Sequence, residues 1–193
     1  MRSLKSRLML AALLSLIVAR LPAADSVAPD IKVSRIHYNI PDVELVREDG
    51  RHVRLPDEIN DGRPVVLNFI FTSCGSICPL MSQVFGQFQH ELGAGSRRVH
   101  LMSISIDPEE DTPARLREYA LKFGASAGWQ HYTGTVRASV AAQRAFDVYR
   151  GDKMGHSAVT LMRPAPGADW VRLDGFATPS ELMEQYREML PAK

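Results

Sequence analysis

Val65-Val66-Leu67-Asn68-Phe69-Ile70-Phe71 is apolar at every position except Asn68, is preceded by Pro64, and is followed by Thr72-Ser73 and then Cys74. A short apolar run bounded by breakers reads as a strand buried on both faces, as at the centre of a sheet. Cys78 follows Cys74 in the gap with three residues between them, and Pro79 fits the first position of a helix. Met81, Val84, Phe85, Phe88 and Leu92 then recur at helical spacing. Strand, cysteine loop and helix are therefore consecutive.

Working outward, Val99–Ile106 reads as a second strand, and Asp111-Thr112-Pro113 opens a helix with Leu116, Tyr119, Ala120 and Phe123 inward and Gly124 placed to end it. A weaker helical stretch covers about 135–146. Ala158–Arg163 and Trp170–Leu173 read as two strands joined by a Pro/Gly turn. Thr178-Pro179-Ser180-Glu181 has capping-box spacing and starts a last helix with Leu182, Met183, Tyr186, Met189 and Leu190 on its apolar face. Upstream, Val43–Arg47 and His52–Leu55 flank Glu48-Asp49-Gly50-Arg51, a hairpin signal. The expected order is β-hairpin, β, α, β, α, α, β, β, α. This is an α/β fold with a central mixed β-sheet flanked by helices and an N-terminal β-hairpin. Cysteines between a strand's C-terminal end and a helix N-terminus make it a thioredoxin-like arrangement, where the positive helix end favours thiolate over thiol.

The chain has 193 residues, 45% hydrophobic and 23% charged, with a formal net charge of +1. Such balance excludes disordered, collagenous and multi-span membrane classes, and it offers no basic field for nucleic acid. Arg2, Lys5 and Arg7 precede an apolar run from Leu8 to Ala19, with small residues at Ala23, Ala24 and Ala28. Residues 1–24 thus read as a signal peptide or N-terminal anchor; the run is shorter than the roughly 20 residues a spanning helix needs. Without it the domain is mildly acidic, because Arg2, Lys5, Arg7 and Arg20 leave and no acidic residue does. Residues 25–40 read as an irregular segment and 41–193 as one domain. Localisation would be the periplasm or the outer face of the inner membrane.

Two cysteines so close together close a ring too small to constrain much of the unfolded chain, so stapling explains them poorly. They can be a dithiol, a disulfide or a metal clip. Soft thiolates select Cu(I), zinc and iron–sulfur clusters, and imidazole suits copper and zinc. His156, in Lys153-Met154-Gly155-His156-Ser157, is the best third ligand, since its loop precedes a strand that the fold would bring beside the cysteine loop. His37, His52, His90, His100 and His131 are expected on the hairpin region, helix ends or an outer strand.

Phe71-Thr72-Ser73-Cys74-Gly75-Ser76-Ile77-Cys78-Pro79 resembles the CxxxCP motif of the Sco/SenC copper chaperones. Asp107-Pro108-Glu109-Glu110-Asp111-Thr112-Pro113 is similar to that family's DPxxDTP segment, and Gly155-His156-Ser157 to its distal histidine element. All three occur in family order, and together the likeness covers about residues 40–190. It implies copper, as Cu(I) or Cu(II), bound by Cys74, Cys78 and His156. It also implies delivery to the copper-binding subunit of cytochrome c oxidase, with another copper carrier or a thiol reductase as a further partner. Gly75 stands where the family has proline, which should loosen the loop. Gly155 stands in place of an acidic residue that would help orient the imidazole.

A periplasmic thiol–disulfide oxidoreductase using Cys74 and Cys78 as its redox pair is the alternative. The spacing is CxxxC rather than CxxC, and a histidine occupies the approach where such enzymes keep proline, which favours metal. A peroxidase reading lacks a marked substrate pocket. Asp107 and Asp111 read as loop and capping residues rather than ligands. Met81 reads as core, and Met154 as the better placed of two soft auxiliary donors.

Overall fold

Val65–Ile70 forms strand β4, and all six of its residues are buried. Each large apolar side chain there contributes roughly 1.5–3 kcal/mol by leaving water, which is why this strand takes a central place. The computed structural model describes residues 31–190. Eight strands form one sheet in the order β1-β8-β7-β4-β5-β6-β2-β3, with β1 Lys32–Ile36, β2 Glu44–Arg47, β3 His52–Arg54, β5 His100–Ser105, β6 Trp129–Gly134, β7 Val159–Arg163 and β8 Trp170–Asp174. β4, β5 and β6 run parallel, and β7 lies antiparallel to β4.

Helices cover both faces. On one, Leu67, Phe69, Met102, Ile104 and Tyr132 pack with Ala138, Ala142 and Phe146 of the α4 region; α4 is Val136–Ala145, and the short α1 is Leu55–Ile59. On the other, Val66, Leu101 and Trp129 pack with Phe85 and Phe88 of α2 (Ile77–Leu92) and with Leu182 and Met183 of α5 (Pro179–Met189). Helix α3, Pro113–Lys122, lies along β6. Three helices start on a threonine whose hydroxyl accepts from the backbone, Thr112, Thr135 and Thr178, and Thr178 with Glu181 completes the capping box.

The structure departs from expectation at several places. Lys32–Ile36, inside the stretch expected to be irregular, is strand β1, paired antiparallel with β8. Its sequence KVSRI offers no apolar alternation, so only pairing makes it a strand. Trp129–Gly134 was not expected as a strand, yet β6 joins β5 to β2; its buried His131 and Thr133 hide the apolar signal. Leu55 begins α1 rather than ending a strand, with Pro56 in the helix's first turn. Helix α2 begins at Ile77 rather than Pro79, so Cys78 lies inside its first turn. Proline is tolerated there because the first four helical N–H groups have no intrahelical partner anyway. His100 and His131 are buried on the interior strands β5 and β6 rather than at helix ends or on an outer strand. The leader, residues 1–24, lies outside the described residues.

Candidate metal centre

The cysteine loop leaves the C-terminal end of β4 and is pinned at once. The Cys74 amide donates to the Phe71 carbonyl at 3.1 Å. The Cys78 amide, in the first turn of α2, donates to Cys74 Sγ at 3.4 Å, and Ser76 Oγ lies 3.8 Å from the same sulfur. Both thiols are free, Cys74 9% exposed and Cys78 fully buried. Burial works to raise the Cys74 pKa, but hydrogen bonds from the Cys78 and Ser76 amides and side chains outweigh it and hold the thiol below its ordinary value. Burial pushes Cys78 far up; a backbone hydrogen bond at Phe71 only partly offsets this, and the neighbouring Cys74 and Asp111 add to it. The pair is therefore asymmetric, with Cys74 the more readily ionised sulfur and Cys78 held as thiol.

Asp111 is no cap. It is fully buried, and its carboxylate accepts from the amide and hydroxyl of Thr72 and from Ser105 Oγ at 2.6 Å. Thr112, the next residue, is the cap of α3. Asp111 thus ties the start of the cysteine loop to the end of β5. That role has no local signature, since its partners are 39 and 6 residues away.

β7 runs antiparallel to β4, with Asn68 opposite Thr160, so the loop before β7 meets the end of β4 from which the cysteine loop departs. His156 stands in that loop, and its Nε2 is 2.9 Å from the Phe69 carbonyl oxygen. A carbonyl can only accept, so Nε2 carries the proton, and Nδ1 presents a lone pair. Nδ1 is buried and has no partner. Burial, and then nearby Arg150, hold the imidazole pKa below its ordinary value despite the Phe69 hydrogen bond, so the ring is neutral at pH 7. The backbone carbonyl does the orienting expected of the acidic residue that Gly155 replaces.

The structure brings Cys74 and Cys78 together and sets His156 at the same end of the sheet. Among the described residues no three His, Cys, Asp or Glu side chains are gathered tightly enough to hold a metal as they stand. Met81 is core, 5% exposed, and Met154 is 75% exposed. His100 is occupied by Tyr132 Oη at 2.8 Å and the Glu58 carbonyl at 3.1 Å. His131 stacks against Trp129, with ring centroids 5.0 Å apart. His37 and His52 make exposed contacts with Asp169 and Glu44, and His90 lies in the last turn of α2.

The profile of the SCO1/SenC family matches residues 38–190. The chain belongs to the SCO1/SenC family. It is 33% identical over 100 residues to a SCO1 protein homolog of Bacillus subtilis, a match covering 51% of each chain; it thus spans about half the length of that relative. Among solved structures it resembles BsSco, described as having a disulfide switch and as a member of the Sco family of cytochrome c oxidase assembly proteins. The TM-score is 0.66 at 22% identity, covering 81% of this chain and 95% of that one. It also resembles Arabidopsis thaliana ScoI with copper bound, with a TM-score of 0.63 at 24% identity, covering 76% of this chain and 94% of that one. These likenesses establish the shared fold.

Proposed function

We propose that this SCO1/SenC protein is an exported copper carrier. In this reading Cys74, Cys78 and His156 hold the copper ion and pass it by ligand exchange to the dinuclear copper centre of cytochrome c oxidase. The observation that carries it is His156, whose Nδ1 is buried without a partner while Nε2–H is fixed on the Phe69 carbonyl. A ring that donates from one nitrogen to a carbonyl and keeps the other free is the pattern of a metal-ligating histidine. Two sulfurs and one imidazole nitrogen suit a soft ion, and copper fits three donors better than a structural zinc site, which closes with four. The copper-bound Arabidopsis relative and the family's part in oxidase assembly support the same reading. Export, and anchoring at the outer face of the inner membrane, rest on the charged and apolar residues 1–24.

The test is metal analysis of reduced protein after copper loading, with equimolar zinc as competitor. One copper per chain is expected, lost in Cys74→Ser/Cys78→Ser and weakened in His156→Ala. Full uptake by the double cysteine variant would place the site elsewhere. The asymmetry of the thiols favours a second reading, reduction of a partner's copper-ligand disulfide. Cys74 thiolate would attack one sulfur of that disulfide, and Cys78 would then close on Cys74 and release the partner as a dithiol, oxidising this pair by two electrons. That chemistry does not need His156, so His156→Ala separates the two readings.

A further inference from the structure

The histidine loop and the cysteine loop are joined by a continuous chain of polar contacts. Lys153 Nζ, three residues before His156, is 2.6 Å from Asp107 Oδ2. The Asp107 amide donates to Ser105 Oγ at 3.0 Å, and that hydroxyl donates to Asp111 Oδ2 at 2.6 Å. Asp111 in turn accepts from Thr72, two residues before Cys74. Asp107 is 8% exposed and Asp111 fully buried, so the middle of the brace runs through the interior, while its lysine end and the half-buried Thr72 reach solvent. The same ammonium lies 5.7 Å from the centre of the Phe71 ring, and Phe71 is the residue whose carbonyl receives the Cys74 amide.

The loop needs such a fastening. Gly151 has a φ of +79°, and Gly155, which ends the short turn Lys153–Gly155, is a second residue without a side chain to restrain it beside the histidine. The Asp152 side chain accepts from the Met154 amide and holds the turn locally, but it does not attach the turn to the sheet. Lys153 attaches one end of it, and the His156 ring attaches the other at Phe69. An exposed ion pair would contribute little, whereas here the carboxylate is buried and backed by further hydrogen bonds, which makes the pair stronger.

We propose that Lys153 is a positioning residue that fixes the histidine loop to the cysteine loop through the Asp107–Ser105–Asp111–Thr72 brace. His156 is thereby held where it can join the two sulfurs. The consequence for metal affinity rests on the copper reading above; the mechanical coupling of the two loops does not. Without the pin, the ordering of a glycine-flanked loop would have to accompany ligand binding and oppose it.

The experiment compares parent, Lys153→Met, which keeps the stem without the charge, and Lys153→Arg, which keeps the charge. In reduced, metal-free protein, amide hydrogen exchange is expected to rise in Lys153→Met at residues 153–156 and also at residues 72–74, across the brace, with Lys153→Arg close to parent. Copper affinity should fall about tenfold or more in Lys153→Met, the usual scale for a group that orients a ligand. The histidine-nitrogen coupling in the Cu(II) resonance spectrum should weaken with it, and both should recover in Lys153→Arg. Unchanged exchange at residues 72–74 in Lys153→Met overturns the brace, as does a Lys153→Arg variant that behaves like Lys153→Met. If the parent binds no copper, the functional reading fails, and the exchange measurement still decides the brace.

Discussion

The amide of Cys78 donates to Sγ of Cys74 across 3.4 Å, so the second cysteine of the pair stabilises the first as a thiolate. One helical turn places both groups, because Cys78 sits among the unpaired N–H groups at the start of α2. Local geometry favours the Cys74 thiolate, and burial in the core with Asp111 nearby holds Cys78 as the thiol.

That difference predicts which sulfur reacts. Thiolate is the nucleophile, and each pKa unit of separation is a tenfold difference in thiolate fraction. Cys74 lies below the ordinary thiol value and Cys78 well above it. Limited alkylation of reduced protein near pH 7.5, followed by peptide mass mapping, should therefore label Cys74 at least about ten times faster than Cys78. Equal labelling would contradict the asymmetry.

Removal of Asp111 should be costly. Asp111→Ala strands the Thr72 amide and hydroxyl and the Ser105 hydroxyl, and a loss of about 3 kcal/mol in denaturant unfolding is expected from donors left without acceptors. Asp111→Asn keeps one carbonyl acceptor and should lose less. A neutral Asp111→Ala would mean that water replaces the carboxylate.

Acid should destabilise the fold through its buried histidines. Burial holds His131 at about 3 and also lowers His100, where Asp61 and Glu58 oppose it only in part. Below the ordinary histidine value the unfolded chain takes up protons that the folded chain refuses. For His131 the stabilising contribution is therefore complete above about pH 6.5 and is lost as pH falls toward about 3, by up to about 1.4 kcal/mol per pH unit, and His100 acts in the same direction. Both ring nitrogens of His131 lack partners. His131→Phe, of similar shape, should match or exceed parental stability at pH 7 and give a flatter decline to pH 5, read from urea midpoints. A steeper decline would refute the assignment.

Gly75 should accept a side chain. A Cβ there meets nothing within 4 Å, and its φ lies outside the left-handed region. Gly75→Ala should raise stability by about 0.4–1 kcal/mol by restricting the unfolded chain. At Gly86 a Cβ would stand 2.8 Å from the Phe123 carbonyl oxygen, so Gly86→Ala should destabilise. Thermal unfolding of the two variants checks both signs.

What the sequence determined by itself is local. The apolar run of β4, the Thr178 capping box and the 3.6-residue spacing of α2 and α5 depend on neighbours a few positions apart, and they were legible together with Cys74, Cys78 and the loop of His156. Only the tertiary structure decided the rest. Thr160, Asn68, Ser103 and His131 stand side by side across β7, β4, β5 and β6, a buried polar row whose members lie far apart in the chain, so β6 carried no apolar signal. β1 is a strand because β8 supplies its hydrogen-bonding partner. Asp111 becomes a buried anchor through Thr72, and His156 gains its orientation from a backbone carbonyl 87 residues away. A main-chain acceptor has the same chemistry at every residue, so nothing in the letters marks Phe69 as the one that holds the ring; the pairing of β4 with β7 does.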